Sequence, residues 1–175
     1  IASRTDLKNH IIIAGSVSKT YAMTGWRIGY ILATPDLISA VVKLQSHSTS
    51  NPCSISQKAA VEALRGPQES VGIMLAEYRK RRDFVVARLR AIPGVQCNEP
   101  QGAFYVYPNV SVAFGKSGIA NTLQFAERLL SEAHVAAVPG EAFGTDRHIR
   151  ISYATSMHEL ERGLDRIHQF IVKHS

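Results

Sequence analysis

Residues 15–30 restrict the possible folds of the chain more than any other segment, because a polar turn there separates two short apolar runs. The first run, Ile11–Ala14, and the second, Gly29–Ala33, predict two strands. The turn that follows the first strand would lie at the carboxyl end of a sheet, where α/β proteins bind their ligands. These residues therefore predict an α/β fold with a ligand site at this turn.

The polar groups of the turn suit an aldehyde that carries a phosphate. The hydroxyls of Ser16 and Ser18 and the guanidinium of Arg27 are donors of the kind that bind phosphate. Lys19, enclosed beside a second cation, would lose proton affinity, and a neutral amine can attack a carbonyl and form a Schiff base. The alternative is a solvated turn lysine, with Arg27 in a surface ion pair.

Alternating patterns continue along the chain. Helical periodicity and end signals predict five helices, of which the long one ends at Pro93-Gly94 and the fourth has Asn121 as its N-cap. The predicted helices are Pro35–Leu44, Ser56–Leu64, Gln68–Ala91, Asn121–Ala133 and Met157–Val172, and the further strands are Val95–Cys97, Ala103–Tyr107, Val135–Val138 and His148–Tyr153. Residues beyond 94 therefore predict an α+β unit.

The net positive charge of the chain is typical of proteins that bind nucleic acid. The chain has 20 Lys and Arg against 14 Asp and Glu, a formal net charge of +6, and its densest basic run is Arg79–Arg82. Glu77 and Asp83 flank that run, and an apolar stripe that includes Leu75 and Leu89 recurs near helical spacing beside it. A solvated helix face is therefore the preferred interpretation, and a basic nucleic-acid-binding module is the alternative.

Other classes of protein are disfavoured by composition. No apolar run approaches the roughly 18 residues that cross a bilayer. Cys53 and Cys97 form no disulfide framework and no metal-ligand cluster, which predicts reduced thiols in a cytoplasmic protein without a metal site. The start at Ile1 lacks the pattern of a secretory signal, and we expect it to lie in the middle of a longer protein.

The turn also carries a specific resemblance. Ser16-Val17-Ser18-Lys19, followed by Met23-Thr24-Gly25-Trp26-Arg27-Ile28-Gly29-Tyr30, resembles the signature of the class I aminotransferases, which are fold type I pyridoxal-phosphate enzymes, and most of all their bacterial aspartate aminotransferase branch. The resemblance implies that Lys19 holds pyridoxal 5'-phosphate, that Ser16 and Arg27 bind its phosphate, and that Ser18 supplies a hydroxyl beside the lysine.

Later segments also resemble the family. Pro100–Tyr105, Val138–Gly144 and His148–Ala154 resemble family segments in the same order. The resemblance implies that Arg150 binds the substrate α-carboxylate, and that Ser50-Asn51-Pro52 belongs to a segment that reaches the partner's site in a homodimer. The alternative for that segment is an ordinary turn that precedes a helix. Arg150 stands between two isoleucines of a predicted strand, so its side chain points away from theirs; a surface arginine of an edge strand is the alternative.

The resemblance implies an architecture as well. Residues 1–80 would be the end of the large, cofactor-binding α/β domain, and residues 81–175 the small α+β domain. The family's N-terminal part supplies the groups that bind the cofactor ring. We therefore expect the 175 residues alone not to transaminate, and to expose an apolar patch where that part would pack.

The implied activity moves an amino group between an L-amino acid, with aspartate favoured, and a 2-oxo acid, with 2-oxoglutarate favoured, by a ping-pong mechanism. One branch of the family has an arginine at the position of Ser46 to bind the side-chain carboxylate, so the substrate side chain stays undecided. The alternatives are a β-lyase of the same fold type that acts on sulfur amino acids, and a pyridoxal-phosphate-sensing domain of a transcription regulator.

Overall fold

The computed structural model describes residues 2–115 and 117–175. Its helices are α1 (Pro35–Ser48), α2 (Ser54–Arg65), α3 (Glu69–Arg90), α4 (Thr122–Ala133) and α5 (Met157–His174). Its strands are β1 (Ile13–Ser16), β2 (Gly29–Leu32), β3 (Tyr105–Val106), β4 (Val138–Pro139) and β5 (Ile149–Ser152). The chain divides into two compact units, Ile1–Ile73 and Met74–Ser175.

The first unit contains an antiparallel pair of strands and two helices. Strands β1 and β2 pair with Ser16 opposite Gly29 and Ile13 opposite Leu32. A small core of Val17, Met23 and Ala60 lies between the turn and α2. This core is what fixes the turn that follows β1.

Much of the apolar surface of the first unit is exposed. All four residues of β2 are exposed, and no residue described in α1 is buried. The exposed large apolar side chains of this unit are those of Ile12, Trp26, Tyr30, Ile31, Leu32, Val42, Leu44, Ile55, Val61, Leu64 and Ile73. These exposed side chains agree with the apolar patch expected from the sequence, and its role as a packing surface stays a prediction.

The second unit has a three-stranded antiparallel sheet in the order β3-β5-β4. One face of the sheet is buried in a large core through Val106, Ile149 and Ile151. Helices α4 and α5 contribute Phe125 and Phe170, whose rings meet edge to face at 5.2 Å. This core gives the second unit a sheet with one covered face and one open face.

Most predicted elements are confirmed, with shifted ends. Asn121 caps α4, because its side chain accepts a hydrogen bond from the Gln124 N–H at 2.9 Å. The strand predicted at 95–97 is wrong: Gln96 forms an isolated bridge to Asn109 and no ladder extends from it. Without a cross-strand ladder, β-propensity alone does not make a strand.

The basic run lies on α3 and is partly neutralised by neighbouring acids. Arg81 pairs with Glu77 at 2.9 Å, and Arg82 pairs with Asp83 at 2.7 Å and with Glu99 at 3.3 Å. The apolar stripe of α3 is buried only in the second half of the helix. Leu89 in that half is fully buried, whereas Leu75 in the first half is 49% exposed. These contacts support the solvated-face interpretation.

The division between the two units falls within α3, after Ile73. The assignment of residues 1–80 and 81–175 to the large and small domains of the family stays a prediction. Among the residues described, no helix is both long and apolar enough to cross a bilayer.

A charged cluster joins the end of α5 to α4. The carboxylate of Glu132 accepts hydrogen bonds from Arg128 Nε at 2.7 Å and Lys173 Nζ at 2.9 Å, and it lies 3.1 Å from His174 Nε2. The hydrogen bonds from Lys173 and Arg128 lower the pKa of Glu132 to about 2. The ionised carboxylate is therefore favoured by the folded state.

We expect the cluster to make stability depend on acid pH. The pKa of Glu132 is about 2 when folded, against 4.5 for the free side chain, so its contribution is present above pH 4.5 and lost as the pH falls towards 2. Urea unfolding should show the free energy of unfolding falling less across this window in Glu132→Gln than in the parent. Glu127→Gln, on the same helix, is the control, and equal pH profiles for the parent and Glu132→Gln would contradict the assignment.

The two cysteines differ in environment. Cys53 is exposed at the start of α2, where hydrogen bonds from the backbone of Ser56 and Ile55 lower the pKa of its thiol. Cys97 is buried, and burial raises the pKa of its thiol. Both cysteines are free thiols.

This difference predicts selective alkylation. Near pH 8, iodoacetamide should modify Cys53 faster than Cys97 by about an order of magnitude or more, because the thiolate is the reactive form and Cys97 is also shielded. Peptide mass spectrometry over a time course measures both rates in one sample. Cys53→Ser should remove the fast phase, and equal rates at the two positions would refute the prediction.

Candidate functional site

A tight turn follows β1 and presents the residues singled out in the sequence. Backbone hydrogen bonds from Tyr21 N–H to the Val17 carbonyl and from Met23 N–H to the Ser18 carbonyl close it. Val17 is 1% exposed and Met23 is 8% exposed, so one apolar anchor holds each end. Lys19 lies between these anchors and is exposed, so the enclosure expected from the sequence is wrong for these 175 residues.

The hydroxyls of Ser16 and Ser18 lie side by side on this turn, 2.7 Å apart. Ser16 Oγ also accepts the Ser18 N–H at 3.0 Å and lies 3.1 Å from the carbonyl oxygen of Ile28. A serine hydroxyl has one proton to donate, so Ser16 can donate to the Ile28 carbonyl while Ser18 donates to Ser16, or Ser16 can donate to Ser18 instead. After rotation about its Cβ–Oγ bond, either hydroxyl can donate a hydrogen bond to a bound anion.

Arg27 is held in an unusual backbone conformation. Its φ of 53° lies in the left-handed region, where it ends the short 3-10 helix Thr24–Trp26. Such a conformation costs a non-glycine residue roughly 1 kcal/mol or more. The guanidinium donates from Nη1 to the carbonyl of Thr24 at 2.9 Å, which fixes one side of the fork and leaves other N–H groups for an anion.

A close approach between the strands also shapes this site. Gly15 stands opposite Tyr30 in the register, and a Cβ on Gly15 would lie less than 3.0 Å from the tyrosine ring. A side chain at residue 15 would therefore require the exposed Tyr30 ring to shift. Glycine at residue 15 lets Tyr30 lie across the strand that leads into the turn.

These groups fit pyridoxal phosphate chemically. Two hydroxyls and a guanidinium supply the donors that a phosphate requires, and an exposed lysine amine on the same turn supplies the group that can bond to an aldehyde. The turn thus brings Ser16 and Ser18 into contact and presents Lys19 beside them.

Ser50 and Asn51 follow α1. Ser50 has a left-handed φ of 57°, and its N–H bonds to the Gln45 carbonyl at 2.9 Å. Asn51 Nδ2 donates to the Pro52 carbonyl at 3.1 Å, and both side chains are exposed. Their proposed role toward a partner subunit stays a prediction.

Arg150 lies in the second unit, on the central strand of its sheet. Ile149 is fully buried and Ile151 is 8% exposed, so the alternation of β5 puts Arg150 on the open face. The edge-strand alternative for Arg150 is wrong, because β5 pairs with both β3 and β4. This orientation leaves the guanidinium accessible to an anion.

Two aromatic residues that the sequence analysis did not single out contact Arg150. The Cζ atom of Arg150 lies 4.4 Å from the ring centroid of Tyr105 and 4.5 Å from that of Phe143. The register of β3 with β5 could have indicated Tyr105, since alternate residues of paired strands share a face. No local pattern indicates Phe143, which lies in the 3-10 helix Gly140–Phe143.

Comparison with known proteins identifies the family of the chain. Residues 2–167 match the family model described as aminotransferase class I and II. The chain is 48% identical over 166 residues to an aspartate aminotransferase of Bacillus sp. (strain YM-2), which covers 95% of this chain and 42% of that relative. It is 44% identical over 176 residues to the aspartate aminotransferase of Bacillus subtilis (strain 168), covering 100% of this chain and 45% of that protein.

The fold is similar to solved structures as well. The crystal structure of the aspartate aminotransferase from Rhizobium meliloti has a TM-score of 0.93 and 45% sequence identity, and the match covers 97% of this chain and 44% of that chain. The chain thus spans less than half the length of these relatives. The α/β fold implied by the resemblance is confirmed, and the chain belongs to the class I and II aminotransferases.

Proposed function

We propose that the complete protein is a pyridoxal-phosphate-dependent aminotransferase that moves an amino group between an L-amino acid, with aspartate preferred, and a 2-oxo acid such as 2-oxoglutarate. The observation that carries the proposal is the turn after β1, on which the exposed residue Lys19 directly follows the paired hydroxyls of Ser16 and Ser18. Family membership and relatives named aspartate aminotransferase support it.

Each residue has a distinct task in this proposal. The hydroxyls of Ser16 and Ser18 and the guanidinium of Arg27 bind the cofactor phosphate, and Arg150 binds the substrate α-carboxylate through a bidentate pair. When bound, pyridoxal phosphate supplies an electron sink for the electron pair left at the substrate α-carbon. The Lys19 amine would act as the general base that takes the substrate α-proton and holds it at Nζ.

Two half-reactions complete the transfer. The first substrate leaves as a 2-oxo acid before the second 2-oxo acid enters, which gives ping-pong kinetics. Binding of the carboxylate at Arg150 would fix the orientation of the amino acid at that residue.

Residue 46 offers no cation to a carboxylate on the substrate side chain, because it is a serine. The Ser46 hydroxyl donates to the Lys43 carbonyl at 2.8 Å. We propose that residues outside these 175 recognise that carboxylate.

The family relationship also supports a homodimer in the cytoplasm, with Ser50 and Asn51 reaching the partner's site. Two free thiols, one of them exposed, agree with a reducing compartment.

Replacing Lys19 tests the central assignment. In the complete protein, Lys19→Ala should still bind the cofactor but lose the visible absorbance of its covalent form, and kcat should fall by roughly 10²- to 10⁴-fold or more because the general base is gone. Lys58→Ala, which removes an exposed lysine of α2, is the matched control. Normal turnover in Lys19→Ala would refute the proposal.

Replacing Arg27 separates binding from chemistry. Arg27→Ala should raise the dissociation constant of pyridoxal phosphate about 10- to 100-fold, the equivalent of one charged hydrogen-bonded pair. At saturating cofactor kcat should change little, because phosphate binding is the same in the ground state and the transition state. Equilibrium dialysis of the complete apoprotein, with Arg65→Ala as control, measures the constant; an unchanged value would exclude Arg27 from the phosphate site.

A further inference from the structure

The guanidinium of Arg150 contacts two aromatic rings on the open face of the second unit's sheet. Its Cζ atom is 4.4 Å from the Tyr105 centroid and 4.5 Å from the Phe143 centroid, both well within the range of about 6 Å for cation–π attraction. Among residues 2–115 and 117–175 no hydrogen bond or ion pair of this guanidinium is found, so its N–H donors remain available to a ligand. We name Tyr105 and Phe143 the aromatic clamp.

The first ring of the clamp is fixed by strand pairing and by a neighbouring turn. Tyr105 stands opposite Ser152 in the antiparallel register. Just before it, Ala103 adopts a left-handed φ of 60°, and its carbonyl accepts the Tyr153 hydroxyl at 3.0 Å. Tyr153 is 2% exposed, so the turn that precedes the ring is tied to the core.

The second ring of the clamp, Phe143, lies on a loop that Tyr107 holds in place. The Tyr107 hydroxyl donates to the Gly140 carbonyl at 3.2 Å, and the Tyr107 ring meets the Phe143 ring edge to face at 6.0 Å. Gly140 is buried, and a Cβ there would lie less than 3.0 Å from the carbonyl oxygens of Thr145 and His148 and from the Tyr107 hydroxyl. The backbone of this loop is therefore closely confined.

The far end of the same loop is tied to α4. Asp146 Oδ1 accepts both the N–H and the hydroxyl of Thr122 at 2.8 Å, and Thr122 is fully buried. These two hydrogen bonds lower the pKa of Asp146, so the carboxylate that makes the tie stays ionised at neutral pH. Phe143 is thus carried by a loop that is fixed on both sides.

Fixing an arginine in advance has a thermodynamic consequence. A free arginine side chain loses rotamer entropy when a ligand immobilises it, and this loss weakens binding. Rings that already restrict the guanidinium move this cost from binding to folding. Contacts between the Arg150 Cζ atom and the two rings use none of its N–H donors, which leaves the donors for a planar anion.

We propose that Tyr105 and Phe143 are positioning residues that hold the Arg150 guanidinium with its N–H edge presented to the α-carboxylate of the amino acid. The inference rests on the proposed function, in which Arg150 binds that carboxylate. It assigns to the clamp the recognition of the α-carboxylate and no part in recognising the substrate side chain.

The test measures the dissociation constants of two ligands of the complete protein with its cofactor. One ligand cannot react, and the other lacks the α-carboxylate. α-Methyl-L-aspartate has no α-proton to lose, so it reports binding without turnover, and β-alanine is aspartate without its α-carboxylate. Tyr105→Leu and Phe143→Leu keep apolar bulk but remove the ring. Each should weaken α-methyl-L-aspartate about 2- to 30-fold, the value of one cation–π contact, and leave the dissociation constant of β-alanine within about twofold.

Conservative and matched variants separate positioning from folding. Tyr105→Phe and Phe143→Tyr retain a ring and should bind both ligands as the parent does. Phe84→Leu removes a ring that lies 5.8 Å from Arg88 Cζ, a pair of the same kind on α3, and should change neither constant. Equal weakening of both ligands by the leucine variants would overturn the proposal, as would no weakening of either.

Arg150→Leu distinguishes failure of the clamp from failure of the proposed function. It should weaken α-methyl-L-aspartate more than either ring variant and leave β-alanine unchanged. If Arg150→Leu has no effect on α-methyl-L-aspartate, the assigned role of Arg150 fails. If Arg150→Leu has its effect and the ring variants have none, the clamp alone is refuted.

Discussion

Burial of one face of the second unit's sheet is the constraint on which the carboxylate site depends. Ile149 and Ile151 on β5 enter the core, and each fully buried isoleucine contributes roughly 1.5 to 3 kcal/mol, more than a surface ion pair of at most about 1 kcal/mol. A shift of one residue in register would turn both side chains outward. The hydrophobic core thereby determines that Arg150 faces the open side.

The first unit positions its polar residues by a different means. Its core is small, and the turn with Lys19 is held between the buried side chains of Val17 and Met23. Backbone hydrogen bonds within the turn, together with the Ser18 N–H that Ser16 Oγ accepts, complete its geometry. The backbone of the turn is therefore fixed, which is what a binding site on a loop requires.

The sequence predicted those features correctly in which a local pattern agrees with the tertiary packing. Asn121 was predictable as an N-cap because capping is local, and the direction of Arg150 followed from its two apolar neighbours. Helix α1 extends to Ser48 beyond the predicted end at Leu44, because the polar residues after Leu44 carry no stop signal before the left-handed Ser50. The contact of Phe143 with Arg150 was not predictable, since it depends on a loop conformation set by distant residues.

The close packing around Gly140 restricts how this sequence can vary during evolution. Any side chain at residue 140 would have to displace two carbonyl oxygens and the Tyr107 hydroxyl. Exposed neighbours such as Glu141 and Ala142 face no such obstacle, so they can drift while the glycine cannot. A mutation at Gly140 would damage the site by moving the backbone that carries Phe143, although it removes no group that touches a ligand.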